Sequence, residues 1–250
     1  RWLSESAGDY KTGIIAGGYT GATRNETDIW ENGVWTAGGV IPTARSSTMV
    51  GGGKSNGISG GGGSGGSSTN AAQTYNGSSW SSAGTWSTAR TGASGGGNSS
   101  DAITCGGFTE PNSGSPQAHT QEYDGTSWAS AVAMSQVLRG HGGGGNTTSA
   151  FVVGGYNGSS YGNATDKYNG TTWSNSGLGT ISASPTGIGG GAEGNGTDGI
   201  ATNYTSTAAQ TFNGTNWATI GSISASRNDG MVGGNSSLAF TAGGVVSSAY

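Results

Sequence analysis

The sequence predicts an all-β fold: a β-propeller of six four-stranded antiparallel blades, the last of them incomplete in this chain. Three observations predict it. A short motif returns along the chain as "TYNGSSW" (74–80), "EYDGTSW" (122–128), "KYNGTTW" (167–173) and "TFNGTNW" (211–217), with a distant copy "IWENGVW" (29–35). Its tryptophans, Trp35, Trp80, Trp128, Trp173 and Trp217, stand 45, 48, 45 and 44 residues apart. No stretch carries helix-length apolar periodicity, whereas every motif supplies two strands around a turn.

The elements follow from the motif outwards. Asn-Gly or Asp-Gly between an aromatic residue and a tryptophan is a strong hairpin signal, because a tight hairpin turn needs positive φ at both central residues. The aromatic therefore ends one strand (c) and the tryptophan begins the next (d). An arginine lies ten or eleven residues after the tryptophan, at Arg45, Arg90, Arg139 and Arg227, with Ser184 there in the fifth unit. After it comes a glycine-rich strand a, as in "RTGASGGG" (90–97). Strand b opens thirteen residues beyond the arginine and runs into paired glycines, as in "ITCGG" (103–107), "VVGG" (152–155) and "FTAGG" (240–244). "ISGG" (58–61) and "IATN" (200–203) are weaker copies. Counting back from "IIAGG" (14–18) lands on Arg1, so five of the six arginines share one repeat position.

The chain of 250 residues thus reads as a single domain with units 1–44, 45–89, 90–138, 139–183, 184–226 and a partial 227–250. A unit of four antiparallel strands cannot bury its faces alone, and radial stacking solves that problem. Glycine in strand a suits a crowded axis, and the repeated tryptophan is placed to fill the wedge between blades. Strands c and d of the sixth unit are expected after Tyr250 or before Arg1, which would close the ring from both ends. A start at Arg1 rather than Met implies a processed or longer N-terminus.

Composition limits the function. Gly accounts for 54 residues, about three times its usual share, and only 9% of residues are charged. The fixed period argues against low-complexity disorder. A net charge of −4 with nine basic residues provides no patch to release counterions from nucleic acid. No apolar run matches a membrane span and no signal-peptide pattern opens the chain. A single cysteine, Cys105, forms no internal disulfide. Several Asn-x-Ser/Thr sequons, at Asn76, Asn169 and Asn213, are the hairpin turn itself.

The Gly-Gly, Tyr, Trp and Arg at set offsets resemble the kelch-like β-propellers, over essentially the whole chain. The diction "Y-N-G-T-x-W … A-R … G-G" with Ser, Thr and Asn filling is similar to kelch-type proteins of marine tailed phages. That resemblance implies a virion surface or tail-fibre component. The missing arginine and Gly-Gly of the fifth unit depart from the pattern.

His119 and His141 lie in no metal-ligand motif, and Cys105 sits in a strand as small filling, so no metal or cofactor is expected. "EYDGTSW" resembles a sialidase Asp box, but Asp124 is four residues before Trp128 where that box needs five. Glu26, Asp28 and Glu31 form the one acidic cluster and read as a solvated edge. The "GGGG" runs precede neither a helix nor Lys-Ser/Thr, which excludes a phosphate loop.

Function then falls to surface loops. The b–c and d–a loops share one face, and the b–c loops vary most in length and wording. They carry Tyr19, Phe108, His119, Tyr156, Tyr161 and Tyr204, and the second d–a loop adds Trp86. Aromatic rings among amides and hydroxyls suit carbohydrate. Three classes remain: a non-enzymatic virion module, a secreted or cell-surface bacterial lectin-like adhesin, and a propeller hydrolase or oxidase with an unrecognised site. The first implies a virion-surface or extracellular location, with other virion proteins or a host cell-surface glycan as partners. It also admits a homo-oligomer within a larger assembly, with no nucleic acid and no membrane insertion.

Overall fold

The computed structural model describes residues 3–110, 114–182, 191–192, 196–202, 207–225, 227–237 and 239–246. Arg1, Ser184 and Tyr204 lie outside them. Every described element is a strand or turn, and small antiparallel sheets stand in a ring as a β-propeller.

Blade 1 is β1 (Glu5–Gly8), β2 (Thr12–Ala16), β3 (Thr27–Glu31) and β4 (Val34–Ala37), hydrogen-bonded in chain order. Blade 2 has β5 (Met49–Gly51) and β6 (Gly57–Gly60), then a two-strand flap, β7 (Gly63–Ser64) with β8 (Ser67–Ser68), and then β9 (Ala71–Tyr75) and β10 (Trp80–Thr85). Blade 3 is β11 (Ser94–Asn98), β12 (Asp101–Cys105), β13 (Thr120–Tyr123) and β14 (Trp128–Ala131). Blade 4 is β15 (Gly142–Gly145), β16 (Ala150–Val153), β17 (Thr165–Tyr168) and β18 (Trp173–Ser174). In blade 5, β19 (Gly191–Ala192) pairs in parallel with β15, while β20 (Gly199–Thr202), β21 (Ala208–Phe212) and β22 (Trp217–Ser222) form a three-stranded sheet. Blade 6 shows β23 (Arg227–Gly234) and β24 (Ala239–Val246). The innermost strands follow one another around the axis, and β23 packs on β1 to close the circle.

Strand a is glycine-rich because neighbouring inner strands nearly touch. A Cβ on Gly51 would stand 2.7 Å from the Gly97 carbonyl oxygen, and one on Gly96 would stand 2.7 Å from that of Gly145. The paired glycines ending strand b have a different cause. Gly106 and Gly107 both take positive φ, 63° and 89°, which L-residues adopt only with strain.

The core lies at the blade junctions rather than within any blade. Between blades 1 and 2 it joins Ile14 and Ile29 to Ile41, Tyr75 and Trp80, and similar clusters fill the next three junctions. Each turn-proximal aromatic pairs with the tryptophan across its hairpin, as in Tyr75–Trp80 at 5.0 Å and Tyr168–Trp173 at 5.1 Å between ring centroids. Burying such a ring contributes roughly 3 kcal/mol, with about 1 kcal/mol more from the ring pair.

The turns differ from the expected tight form. Among the c–d turns only Asn32-Gly33 is a two-residue turn with both φ positive, 48° and 92°. In the other four c–d hairpins the loop has four residues and the Asn or Asp is not left-handed. Its side-chain oxygen instead accepts two backbone N–H groups, those of Ser78 and Ser79 at Asn76 and of Thr126 and Ser127 at Asp124. Asn is selected there for its acceptor, as in an Asx-turn.

The five tryptophans are not equivalent, which corrects the sequence expectation. Trp80, Trp173 and Trp217 each donate their indole N–H to a threonine heading strand c of the preceding blade: Thr27, Thr120 and Thr165, at 2.8, 3.0 and 2.8 Å. Trp128 meets Ala72 at that place, and its indole nitrogen is buried without a hydrogen-bond partner. Trp35 is 42% exposed.

Candidate functional site

The arginine position builds the loop face from beneath. Arg45 is buried and donates from Nη1 to the carbonyls of Gly61 and Ala71, at 3.0 and 2.9 Å. Arg90 repeats this with Gly106 and His119, at 2.5 and 3.1 Å, and adds Gln121 Oε1 at 3.3 Å. Each guanidinium ties the end of strand b to the start of strand c in its own blade. Burial lowers both arginines to about 10, so they stay charged at neutral pH. A shared arginine socket is therefore observed at these two positions. Of Arg227 only the backbone, opening β23, is described.

Arg139 does not occupy that socket. The backbone contacts made by Arg45 and Arg90 recur one residue earlier, at Leu138: its N–H donates to Gln117, and its carbonyl accepts from Gly107. Leu138 is buried in the core of blades 3 and 4. Arg139 is displaced onto the loop face, where it bridges Tyr156 through the backbone. Its guanidinium lies 5.0 Å from the Phe108 ring centroid and 4.9 Å from that of Tyr156. Each such cation–π contact is worth about 0.5–2 kcal/mol, according to how dry it is.

Tyr156 in turn pairs with Tyr161, ring centroids 5.1 Å apart. Between them "YNGSSY" repeats the hairpin chemistry of the c–d turns, with Asn157 Oδ1 accepting from Ser159 and Ser160. The Tyr156 hydroxyl donates to the Gly158 carbonyl, stiffening the tongue. Phe108, Arg139, Tyr156 and Tyr161 are thus one cluster across blades 3 and 4, half-buried except for Tyr161, which is exposed. Three of the four were expected on this face. The offset of eleven residues from Trp128 places Arg139 one residue past the slot that the offset of ten marks at Arg45 and Arg90.

The remaining expected residues divide. Tyr19 is half-buried in the first b–c loop, in a β-bridge with Thr23. His119 is exposed, and partial burial together with the Arg90 charge lowers its imidazole from the ordinary value. Trp86 is a correction: only 1% of it is exposed. It fills an inward position four residues before the arginine slot, taken in other units by Ile41, Met134 and Ile181. Its N–H donates to Asn70 as theirs do to Asn25, Ala118 and Asn163. Trp86 then packs edge-on against Trp128 and lies under the Arg90 guanidinium.

The opposite face holds a feature the sequence reading passed over. A cavity of about 620 Å³ opens among the a–b turns of blades 2, 3 and 4, lined by Asn56, Asn98 and Asn146, with Lys54 and Glu31 at its edge. Lys54 and Glu31 form an ion pair. The asparagines use their side-chain oxygens on their own turns, which is the role turn chemistry assigns them. Among the described residues no three His, Cys, Asp or Glu side chains converge as a metal-binding group. The chain matches no protein-family model and no curated protein.

Proposed function

We propose that this propeller is a non-enzymatic surface module of a phage virion or tail fibre, and that its b–c loop face contacts a host glycan or a neighbouring virion protein. The observation that carries the reading is the Phe108–Arg139–Tyr156–Tyr161 cluster, a set of aromatic rings braced by a guanidinium on a rigid ring. Aromatic faces cover apolar sugar surfaces, and arginine donates to hydroxyl or carboxylate oxygens. Low charge and Ser/Thr/Asn filling suit a particle exterior.

Replacing Tyr156 and Tyr161 together by alanine tests it. Attachment to host cells or binding on a glycan array falls at least tenfold while the melting temperature changes little. If cell binding, glycan binding and particle assembly all ignore the double variant, the proposal is wrong. Turnover of a glycan substrate by the purified chain would replace it with an enzyme.

A further inference from the structure

The cavity of about 620 Å³ on the a–b face stands where the repeat is broken. In blades 1, 3, 4 and 6 the a–b turn opens on Asp9, Asn98, Asn146 and Asn235. Each of these side-chain oxygens accepts the backbone N–H two residues on, from Lys11, Ser100, Thr148 and Ser237. Blade 2 has Gly53 at that place, with Lys54 after it. A Cβ built on Gly53 meets a single atom within 4 Å, Asn56 Oδ1 at 3.6 Å, so the room an asparagine would fill there is open. Departures from a repeat are where function is expected to override the pattern.

The lining narrows the chemistry of a guest. Its residues are Gly, Asn, Ser, Thr, Lys and Glu, which offer little to an apolar ligand. Among them the one carboxylate, Glu31, is paired with the one cation, Lys54, so neither a metal ion nor an oxyanion meets an uncompensated charge. Asn98 and Asn146 have committed Oδ1 to their own turns, which leaves their amide N–H groups to donate into the cavity. Glu31 keeps lone pairs to accept. Donors and acceptors set side by side without net charge match hydroxyl groups, each of which both gives and accepts. The volume lies within the range of about 300–1,000 Å³ that small-molecule sites occupy.

We propose that this cavity binds a neutral saccharide. Its hydroxyl oxygens accept from the amides of Asn98 and Asn146 and from Lys54, and a hydroxyl donates to Glu31. A free mono- or disaccharide and the terminal residue of a surface glycan share this chemistry. The site lies on the face opposite the Phe108–Arg139 cluster and is independent of the proposed function.

Saturation-transfer NMR of the intact chain with glucose, galactose, mannose, N-acetylglucosamine, lactose and maltose, followed by isothermal titration, tests for a free sugar. An array of immobilised neutral glycans tests for a glycan terminus. Saturable binding is expected in at least one arm, and the arm identifies the source. Gly53→Asn restores the turn residue of the other blades; it is expected to weaken binding at least tenfold with little change in melting temperature. Asn98→Asp keeps the oxygen that the turn needs, as Asp124 does in its own turn, but removes the donors, and should weaken binding several-fold. No binding in either arm, or binding that both variants leave unchanged, overturns the proposal. Binding that survives Gly53→Asn and is lost on replacing Tyr156 and Tyr161 by alanine belongs to the loop face, and overturns it equally.

Discussion

The indole N–H of Trp80 donates to the hydroxyl of Thr27 across the junction of blades 1 and 2, 2.8 Å away and out of contact with water. The same pair recurs as Trp173 with Thr120 and as Trp217 with Thr165. It lapses at Trp128, where Ala72 stands in place of threonine and Trp86 presses against the indole instead. The two oddities of that junction are one solution: a large ring fills the space, and the donor goes unpaired.

Ala72→Thr alone is expected to destabilise the chain by about 1–3 kcal/mol, because the added atoms crowd Trp86. Trp86→Ile, the residue of blades 1 and 4, costs roughly 2–4 kcal/mol through the cavity it leaves. The double variant is expected to lose at least 1 kcal/mol less than the sum, since threonine then satisfies Trp128. Urea denaturation of the four proteins measures the coupling, and strict additivity would refute the exchange.

Arg90→Ala leaves the Gly106 carbonyl without its donor in the interior and takes the second donor from the His119 carbonyl, which keeps the Gly106 N–H, and should lower stability by roughly 1–3 kcal/mol. Arg139→Ala removes ring contacts at a half-buried surface and should cost less than about 1 kcal/mol. On the proposed function, Arg139→Ala also weakens attachment. Equal losses of stability would return Arg139 to the repeat socket.

Buried His141 fills the place of Thr48 and Ala93 in earlier blades. Burial, with the Arg90 charge behind it, pushes its imidazole down from 6.5 to about 3. Between those values the unfolded chain holds a proton that the folded chain lacks. Stability is therefore lost as pH falls from 6.5 towards 3, by about 2–3 kcal/mol at pH 4.5, and is unaffected by this group above 7. His141→Thr should flatten that part of the profile in melts at pH 7.5 and 4.5; an unchanged slope would show that other groups carry it.

The Cys105 thiol is raised to about 12, by burial first and despite the Arg90 charge. Native protein should react with a thiol-labelling disulfide reagent at least a hundredfold more slowly than urea-unfolded protein. Rapid labelling in native buffer would mean the strand opens readily.

What the sequence determined by itself is local. The Tyr-Asn-Gly-x-x-Trp motif names a hairpin because a side-chain acceptor and one left-handed glycine act within six residues, and every such hairpin is present. The order of strands a to d followed, and with it the face that carries Phe108, Tyr156 and Tyr161. Tertiary structure alone decided the partners across junctions. Leu138 rather than Arg139 takes the arginine slot because backbone hydrogen bonds to Gln117 and Gly107 set the register, and one residue of slip reverses which way a side chain points. Trp86 looked like a loop aromatic because polarity near it says loop, yet the loop dips to fill a wedge whose width depends on Ala72 and Trp128. Trp35 is exposed although its motif matches the others, since the residue that would cover it belongs to another blade. A repeat writes each blade's own bonds into adjacent residues; the contacts between blades join residues some fifty positions apart, and only the closed ring brings them together.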